Sequence, residues 1–198
     1  MIEKLFPEES KVYEVLLITR SNMTPVGITR IGKFLYFKIF QGKSFDDLKK
    51  DNSVVIQIID DPEILVALAF NFPISLKLEK CEKLELNRVA GYPWVEGHAD
   101  CKVISVKDSL GESLARKCKV SPIYVGITQK TPRPISRADN YLIELGVIGS
   151  RALYALKKNL PIGTRLFKEV EKLYWEYRRL GGKSKIAEEI YNLCKNYL

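Results

Sequence analysis

Strand-like patterning with two short helices fills most of the first 130 positions, and then the period changes. Residues 11–19 alternate and are rich in Val, Leu and Ile, which predicts a strand. Residues 22–27 predict a turn, because Asn, Thr and Pro favour turn conformations and Gly27 permits close backbone approach. Residues 26–30 and 34–40 then form a hairpin around Gly32-Lys33. Ser44 reads as the N-cap of a short helix that ends near Asp51-Asn52. Asp47, three residues on, completes a Ser-x-x-Asp pattern resembling a capping box. A β-branched run at 53–59 predicts the next strand. Asp60 or Asp61 caps a helix that has Pro62 at its first position and runs to about Phe70. Further strands are predicted at 76–86, 99–106 and 123–129, with a loop at Tyr92-Pro93-Trp94. Residues 110–119 fit a strand and a short helix equally well.

After Thr131-Pro132-Arg133-Pro134, which reads as a linker, Leu142, Leu145, Ile148, Gly149, Ala152 and Leu156 recur at helical spacing on one face. Asn159-Leu160-Pro161-Ile162-Gly163 breaks that helix. A second is expected from about Thr164 to Arg179, ended by Gly181-Gly182, and a third from about Ser184 to Tyr197. The pattern therefore predicts a mainly β, α+β chain. A closed or split β-barrel occupies residues 1–130, and a helical C-terminal segment occupies 135–198.

Composition narrows the classes. With 198 residues and 46% apolar side chains, the chain can bury a core of its own. The formal net charge of +8 admits an anionic partner without choosing one. Cys81, Cys101, Cys118 and Cys194 show no zinc or Cys-x-x-Cys spacing, and His98 is the single histidine, so no metal site is expected. Reduced, mostly buried thiols in a cytoplasmic protein are the expectation. The N-terminal residues lack the order of a signal peptide, and no apolar run approaches the roughly 20 residues of a membrane helix, so no membrane association is expected.

Two stretches carry candidate chemistry. Gly42-Lys43-Ser44 places a glycine, a cation and a hydroxyl ahead of a helix start, where backbone N–H groups favour a phosphate. A plain capped surface helix explains the same residues, and Asp46 and Asp47 suit a phosphate only if they point away from it. Asn22 and the backbone of Thr24-Pro25 offer hydrogen bonds to the polar edge of a flat heteroaromatic ring. Gln57, polar within an apolar strand, is either the solvent side of that strand or an amide reaching the same edge. A ring edge beside a phosphate pocket points to flavin mononucleotide (FMN).

The order of these motifs carries a resemblance. A strand, Asn-x-x-Pro-x-Gly, a second strand, Gly-x-Ser/Thr-aromatic-x-x-Leu and a β-branched strand ending in Asp-Asp-Pro follow one another. The chain so resembles the FMN-binding split-barrel proteins of the flavin reductase and pyridoxamine-phosphate-oxidase type. It is most similar to a mainly archaeal domain-of-unknown-function family, number four hundred and forty-seven. Pro134-Ile135-Ser136-Arg137-Ala138 with Glu144 and Arg151 matches that family's helical start. The resemblance implies FMN in a barrel groove, at the interface of a homodimer. Asn22, Met23, Thr24, Pro25 and Gly27 would line the ring, with Gln57 at its edge. Lys43, Ser44 and Phe45 would hold the phosphate end, with Leu48 closing the motif, and Arg137 would lie near the cofactor or the neighbouring subunit. Asp47 and Gln57 both stand where the family pattern has Asn.

The function implied is an FMN-dependent oxidoreductase acting on an unnamed small molecule or electron donor. No Gly-x-Gly-x-x-Gly nicotinamide fingerprint appears, and no residue stands out as a general acid or base. One alternative is a flavin carrier or sensor without turnover. Another is a nucleic-acid-binding protein using the basic C-terminal helices, where Tyr174, Trp175, Tyr177, Arg178 and Arg179 cluster. A packed helix with a solvated basic edge accounts for that cluster, so nucleic acid is ranked behind flavin. Arg137, Glu144 and Arg151 recur every seventh position, as in an ion-pair ladder along a helix. His98, near Trp94 and Glu96, reads as an incidental loop histidine.

Overall fold

The computed structural model describes residues 1–9, 12–128 and 137–198, the side chain of Arg137 excepted. The expected linker at 131–134, the end of the strand expected at 123–129 and the start of the one at 11–19 lie outside the described residues. After a short helix α1 (Ile2–Leu5), strands β1 (Tyr13–Ile18), β2 (Met23–Ile31) and β3 (Phe34–Phe40) lead into helix α2 (Lys43–Lys50). Strand β4 (Ser53–Gln57), helix α3 (Pro62–Phe70) and the short strands β5 (Leu78–Lys80) and β6 (Asn87–Val89) follow. Two long strands, β7 (Trp94–Asp108) and β8 (Gly111–Gly126), precede helices α4 (Arg137–Lys157), α5 (Gly163–Arg179) and α6 (Lys185–Lys195).

Six strands close into an antiparallel barrel in the order β1-β2-β3-β8-β7-β4, and β5 pairs with β6 apart from it. Strand period explains the closure. Leu35, Phe37 and Ile39 of β3 point inward, with Val15, Leu17, Val26, Ile28, Val54, Ile56, Val95 and Val120 from the other five strands. Between them on β3, Phe34, Tyr36, Lys38 and Phe40 take the other face.

The chain divides into two compact units. One comprises Met1–Ile59, Ser75–Val106 and Glu112–Thr131, and the other Asp60–Ile74, Lys107–Gly111 and Pro132–Leu198. Residues 60–74 and 107–111, grouped with the barrel in the sequence pattern, fall in the second. Its core gathers Val66 of α3, Leu142, Leu145 and Ala152 of α4, Val170 and Tyr174 of α5, and Ile190 of α6. Glycines at 146 and 149 permit this. A Cβ at Gly146 would lie 3.0 Å from Val66, and one at Gly149 2.6 Å from Ile190. Asp61 caps α3 by accepting from Glu63 N–H, and Ser184 caps α6 by accepting from Ile186 N–H.

One open alternative is settled and two expectations are corrected. Residues 111–119 are strand, part of a hairpin whose tip falls at Ser109-Leu110. That hairpin carries Cys101 to Cys118, and the two form a disulfide with Cα atoms 4.1 Å apart, where reduced thiols were expected. The strand expected over 76–86 stops at Lys80, because the backbone N–H groups of Glu82, Lys83 and Leu84 turn to the Glu96 carboxylate instead of a ladder. No helix among the described residues is long and apolar enough to cross a membrane.

Candidate functional site

The β1–β2 connection is tighter than the sequence predicts. Thr19 N–H donates to Asn22 O at 2.9 Å, so the turn is Thr19-Arg20-Ser21-Asn22. Met23, Thr24, Pro25 and Gly27 are therefore not turn residues. They lie in β2, opposite Ile18, Leu17, Leu16 and Glu14 of β1. The β2–β3 ladder covers only Ile28–Ile31, so among the described residues Met23–Gly27 pairs on one side alone. Pro25, which has no N–H to give, is tolerated because it sits at this local edge.

Helix α2 starts beside that edge. Its N-cap is Gly42, not Ser44, and no side chain caps it. Gly42 has φ +156°, and a Cβ built there would meet nothing within 4 Å. The first intrahelical bond runs from Asp46 N–H to Gly42 O, which leaves the N–H groups of Lys43, Ser44 and Phe45 without intrahelical acceptors. Lys43 is exposed at the first helical position.

Ser44 is buried, and its Oγ faces inward. It accepts from Asn22 Nδ2 at 2.9 Å and lies 3.3 Å from Thr19 Oγ1. Asp47 does not complete a capping box. Its Oδ2 accepts from Ser21 N–H at 2.8 Å and from Thr19 Oγ1 at 2.7 Å, and its Oδ1 accepts from Ser21 Oγ at 2.8 Å. Burial alone would raise the pKa of Asp47. The hydrogen bonds from Ser21 and Thr19 outweigh it and hold the carboxyl below its usual value. Asp47 thus pins the turn to the helix and is spent there.

Phe45 and Leu48 fasten α2 to the barrel. Leu48 joins the barrel core. Arg116 of β8 donates from Nε to Phe45 O at 2.9 Å, and its guanidinium lies 4.4 Å from the Phe45 ring centroid. Sequence reasoning missed Arg116, whose position shares strand parity with the core residues Cys118 and Val120. That parity is invisible until 110–119 is read as strand.

Gln57 lies away from solvent and is fully buried, which overturns the solvent-side reading. Its Nε2 donates to Val89 O at 2.6 Å and to Tyr92 O at 3.3 Å, while its Oε1 accepts from Val89 N–H at 2.8 Å. The amide is used in tying β4 to β6. Beside it Glu96, also fully buried, accepts from Trp94 Nε1 at 2.9 Å as well as from the three loop N–H groups at 2.8 Å. Burial pushes the Glu96 carboxyl up, but these four donors hold it below its usual value. Arg88 stacks 3.7 Å from the Trp94 ring and pairs with Glu79 at 2.9 Å. Burial, and then Glu96, push the Cys81 thiol up to about 12, so it is no poised nucleophile.

The remaining candidates lie elsewhere. His98 is exposed on β7, opposite Ser53. The Arg137 side chain lies outside the described residues. Arg151 pairs with Asp108 at 3.5 Å. Tyr174 stacks on Tyr191 with centroids 4.8 Å apart, and Tyr177 is buried, so both are packing residues; Trp175 remains 58% exposed.

Residues 13–129 match the model of a family described as protein of unknown function (DUF447), N-terminal domain. Among solved structures, an FMN-bound protein from Methanosarcina mazei, assigned to the same family, aligns over 100% of both chains with a TM-score of 0.69 and 17% identity. The 2-nitrobenzoate 2-nitroreductase of Pseudomonas fluorescens aligns over 64% of this chain and 71% of its own, with a TM-score of 0.47 and 8% identity. The styrene monooxygenase flavin reductase of Pseudomonas putida S12 covers 63% of this chain and 93% of its own, with a TM-score of 0.44 and 11% identity. A search of the curated proteins finds no match.

Proposed function

The chain belongs to the DUF447 family, and on that premise we propose that it is an FMN-binding flavoprotein acting as an oxidoreductase on a small molecule, as a homodimer. The observation that carries the reading is a juxtaposition. The one-sided edge of β2 at Met23–Gly27 lies where the Asn22–Ser44 hydrogen bond brings in the first turn of α2. A strand edge offers N–H and C=O groups in one plane, which suits the polar edge of an isoalloxazine. A helix start offers oriented N–H donors and partial positive charge, which suit a phosphate. The likeness in fold to an FMN-bound protein along the whole chain supports the same assignment.

The residues fit the cofactor, with revised roles. The N–H groups of Lys43, Ser44 and Phe45 and the Lys43 ammonium would hold the phosphate, with Gly42 leaving room for its approach. The Ser44 hydroxyl, turned inward, would position the helix start and not contact phosphate. Asn22 would set the turn. Met23, Thr24, Pro25 and Gly27 would present the ring-binding edge. Asp47, bonded to Ser21 and Thr19, would keep its charge occupied at the turn. The Gln57 amide, fully engaged at Val89 and Tyr92, drops out of this set. When bound, FMN supplies one- and two-electron chemistry; the protein supplies position, hydrogen bonds and shelter. Val103 and Leu114, both exposed on the β7–β8 hairpin, offer apolar surface for a second copy.

The test is the visible spectrum of the purified protein, followed by fluorescence titration with FMN. The expected result is saturable binding that weakens in Asn22→Ala. No flavin spectrum and no saturation at high FMN would sink the reading. Binding without turnover by reduced nicotinamide or another donor would make the protein a carrier or sensor.

A further inference from the structure

The outer face of β3 and β8 carries an arrangement that the flavin reading does not use. On β3, Phe34, Tyr36, Lys38 and Phe40 occupy successive outward positions, and the strand has no acidic residue. Alternate positions on a strand repeat at about 6.8 Å, twice the rise per residue. Across the ladder, Tyr36 faces Lys119 and Lys38 faces Lys117. Lys38 and Lys117 are both exposed. Like charges directly opposite each other destabilise a sheet, so this pair is a cost that the fold alone does not explain. More ammonium groups gather on the same rings. Lys119 Nζ lies 3.8 Å and Lys33 Nζ 5.5 Å from the Phe34 centroid, and Lys38 Nζ lies 5.1 Å from that of Phe40. The single acid on β8, Glu112, is at the far end near the hairpin tip, where it accepts from Ser105 Oγ.

We propose that this β3–β8 face binds single-stranded nucleic acid: its aromatic side chains alternate at a spacing that suits an extended strand, and they are flanked by Lys38, Lys117 and Lys119. Charge alone would serve any polyanion. The rings discriminate, because bases stack on aromatic faces whereas acidic peptides gain nothing there. Phe40, 43% exposed, and the half-buried Tyr36 supply the platform. Lys38, Lys117 and Lys119 meet the phosphates. Recognition is sequence-tolerant, since no asparagine, glutamine or acid on the face stands ready to read base edges.

The test uses the full chain and a fluorescently labelled oligothymidylate of about 12 nucleotides, within the site sizes of such surfaces, followed by anisotropy between about 50 and 200 mM salt. Binding is expected at low salt, falling steeply as salt rises. Lys38→Glu should weaken it about tenfold and flatten the slope of log affinity against log salt by about one, near the 0.7 expected per lost phosphate contact. This variant places Glu opposite Lys117, an attractive cross-strand pair, so folding is not put at risk. Tyr36→Ala should weaken binding by about tenfold with the slope unchanged, as loss of stacking does. Lys168→Glu with Lys172→Glu, exposed on α5, removes the same kind of charge elsewhere and should leave binding unchanged. No binding at low salt would overturn the proposal. So would equal loss in the α5 variant, or polyglutamate binding as tightly with Tyr36→Ala silent, which would make the face a dock for an acidic protein.

Discussion

Two corners of the barrel bury polar side chains, and they do so to opposite ends. At the corner of β4, β6 and β7, every arm of Gln57 and Glu96 meets a partner. The amide bonds Val89 and Tyr92, and the carboxylate takes three backbone N–H groups and an indole N–H. At the corner of β1, β2 and α2, Thr19, Ser21, Asn22, Ser44 and Asp47 also satisfy one another. There, however, the side-chain network leaves backbone groups over: the first turn of α2 and one side of β2 at Met23–Gly27. A closed polar cluster holds a fold together. In the proposed function, a cluster that spends its side chains on holding backbone donors and acceptors in place serves as a receptor.

The contrast predicts which substitutions cost stability and which cost binding. Glu96→Ala should have the largest effect. It strands three loop N–H groups and the Trp94 indole, at about 1–3 kcal/mol for each donor that stays buried. Partial rehydration of the loop limits the total to about 3–5 kcal/mol. Urea denaturation measures this, and FMN affinity of the folded fraction should not move. Gln57→Leu comes next. It keeps the volume but orphans Val89 N–H and its carbonyl, at a cost of about 1–3 kcal/mol. A large loss of FMN affinity in this variant, beyond the loss of folded protein, would erase the distinction between the corners and return Gln57 to the ring site.

Asn22→Ala reverses the pattern. Removing the bond to Ser44 should cost about 1 kcal/mol of stability. FMN affinity should fall by about tenfold, because the helix start and the strand edge lose the bond that sets them beside each other and keep only those of Asp47 to the turn. Equal losses of stability and binding would mean that the network is structural only.

Legibility in the sequence follows the same divide between local and distant causes. The strand β3 announces itself because one face meets the core and the other does not, β1 and β4 because they are Val-, Leu- and Ile-rich runs buried on both faces, and the caps at Asp61 and Ser184 are local chemistry. Strands within 99–106 and 123–129 are also legible, but the return strand at 111–119 is not, because the distal residues of the hairpin are exposed on both faces and lose their alternation. The Cys101–Cys118 disulfide was hidden for the same reason, since its geometry exists only once that hairpin does. Glu96 acts through backbone N–H groups 12 to 14 positions away, which no side-chain motif encodes. At the site, Pro25 looks like a turn residue, and only the absence of a β3 partner explains a proline inside β2. Ser44 and Asp47 were legible as a pair three residues apart. Their real partners, Thr19, Ser21 and Asn22, lie 22 to 28 residues earlier.

Asp47 gives the smallest effect and the sharpest test, because the two sides of the comparison pull against each other there. Its pKa is lowered in the folded state, so the stability it contributes is present above the unfolded value, about 4. That contribution is lost as pH falls through the lowered folded value. Asp47→Asn removes this contribution and should lower the melting temperature at pH 7 by a few degrees, for a loss of about 1 kcal/mol. The gap from the parent protein should close as both are melted at successively lower pH. The same substitution takes a negative charge away from the start of α2, where a phosphate would sit, and should tighten FMN binding by about two- to fivefold at low salt. A variant that melts earlier yet binds FMN more tightly would show that Asp47 serves the turn at the expense of the helix start. If both properties fall together, the carboxylate is needed to shape the receptor, and the charge argument fails.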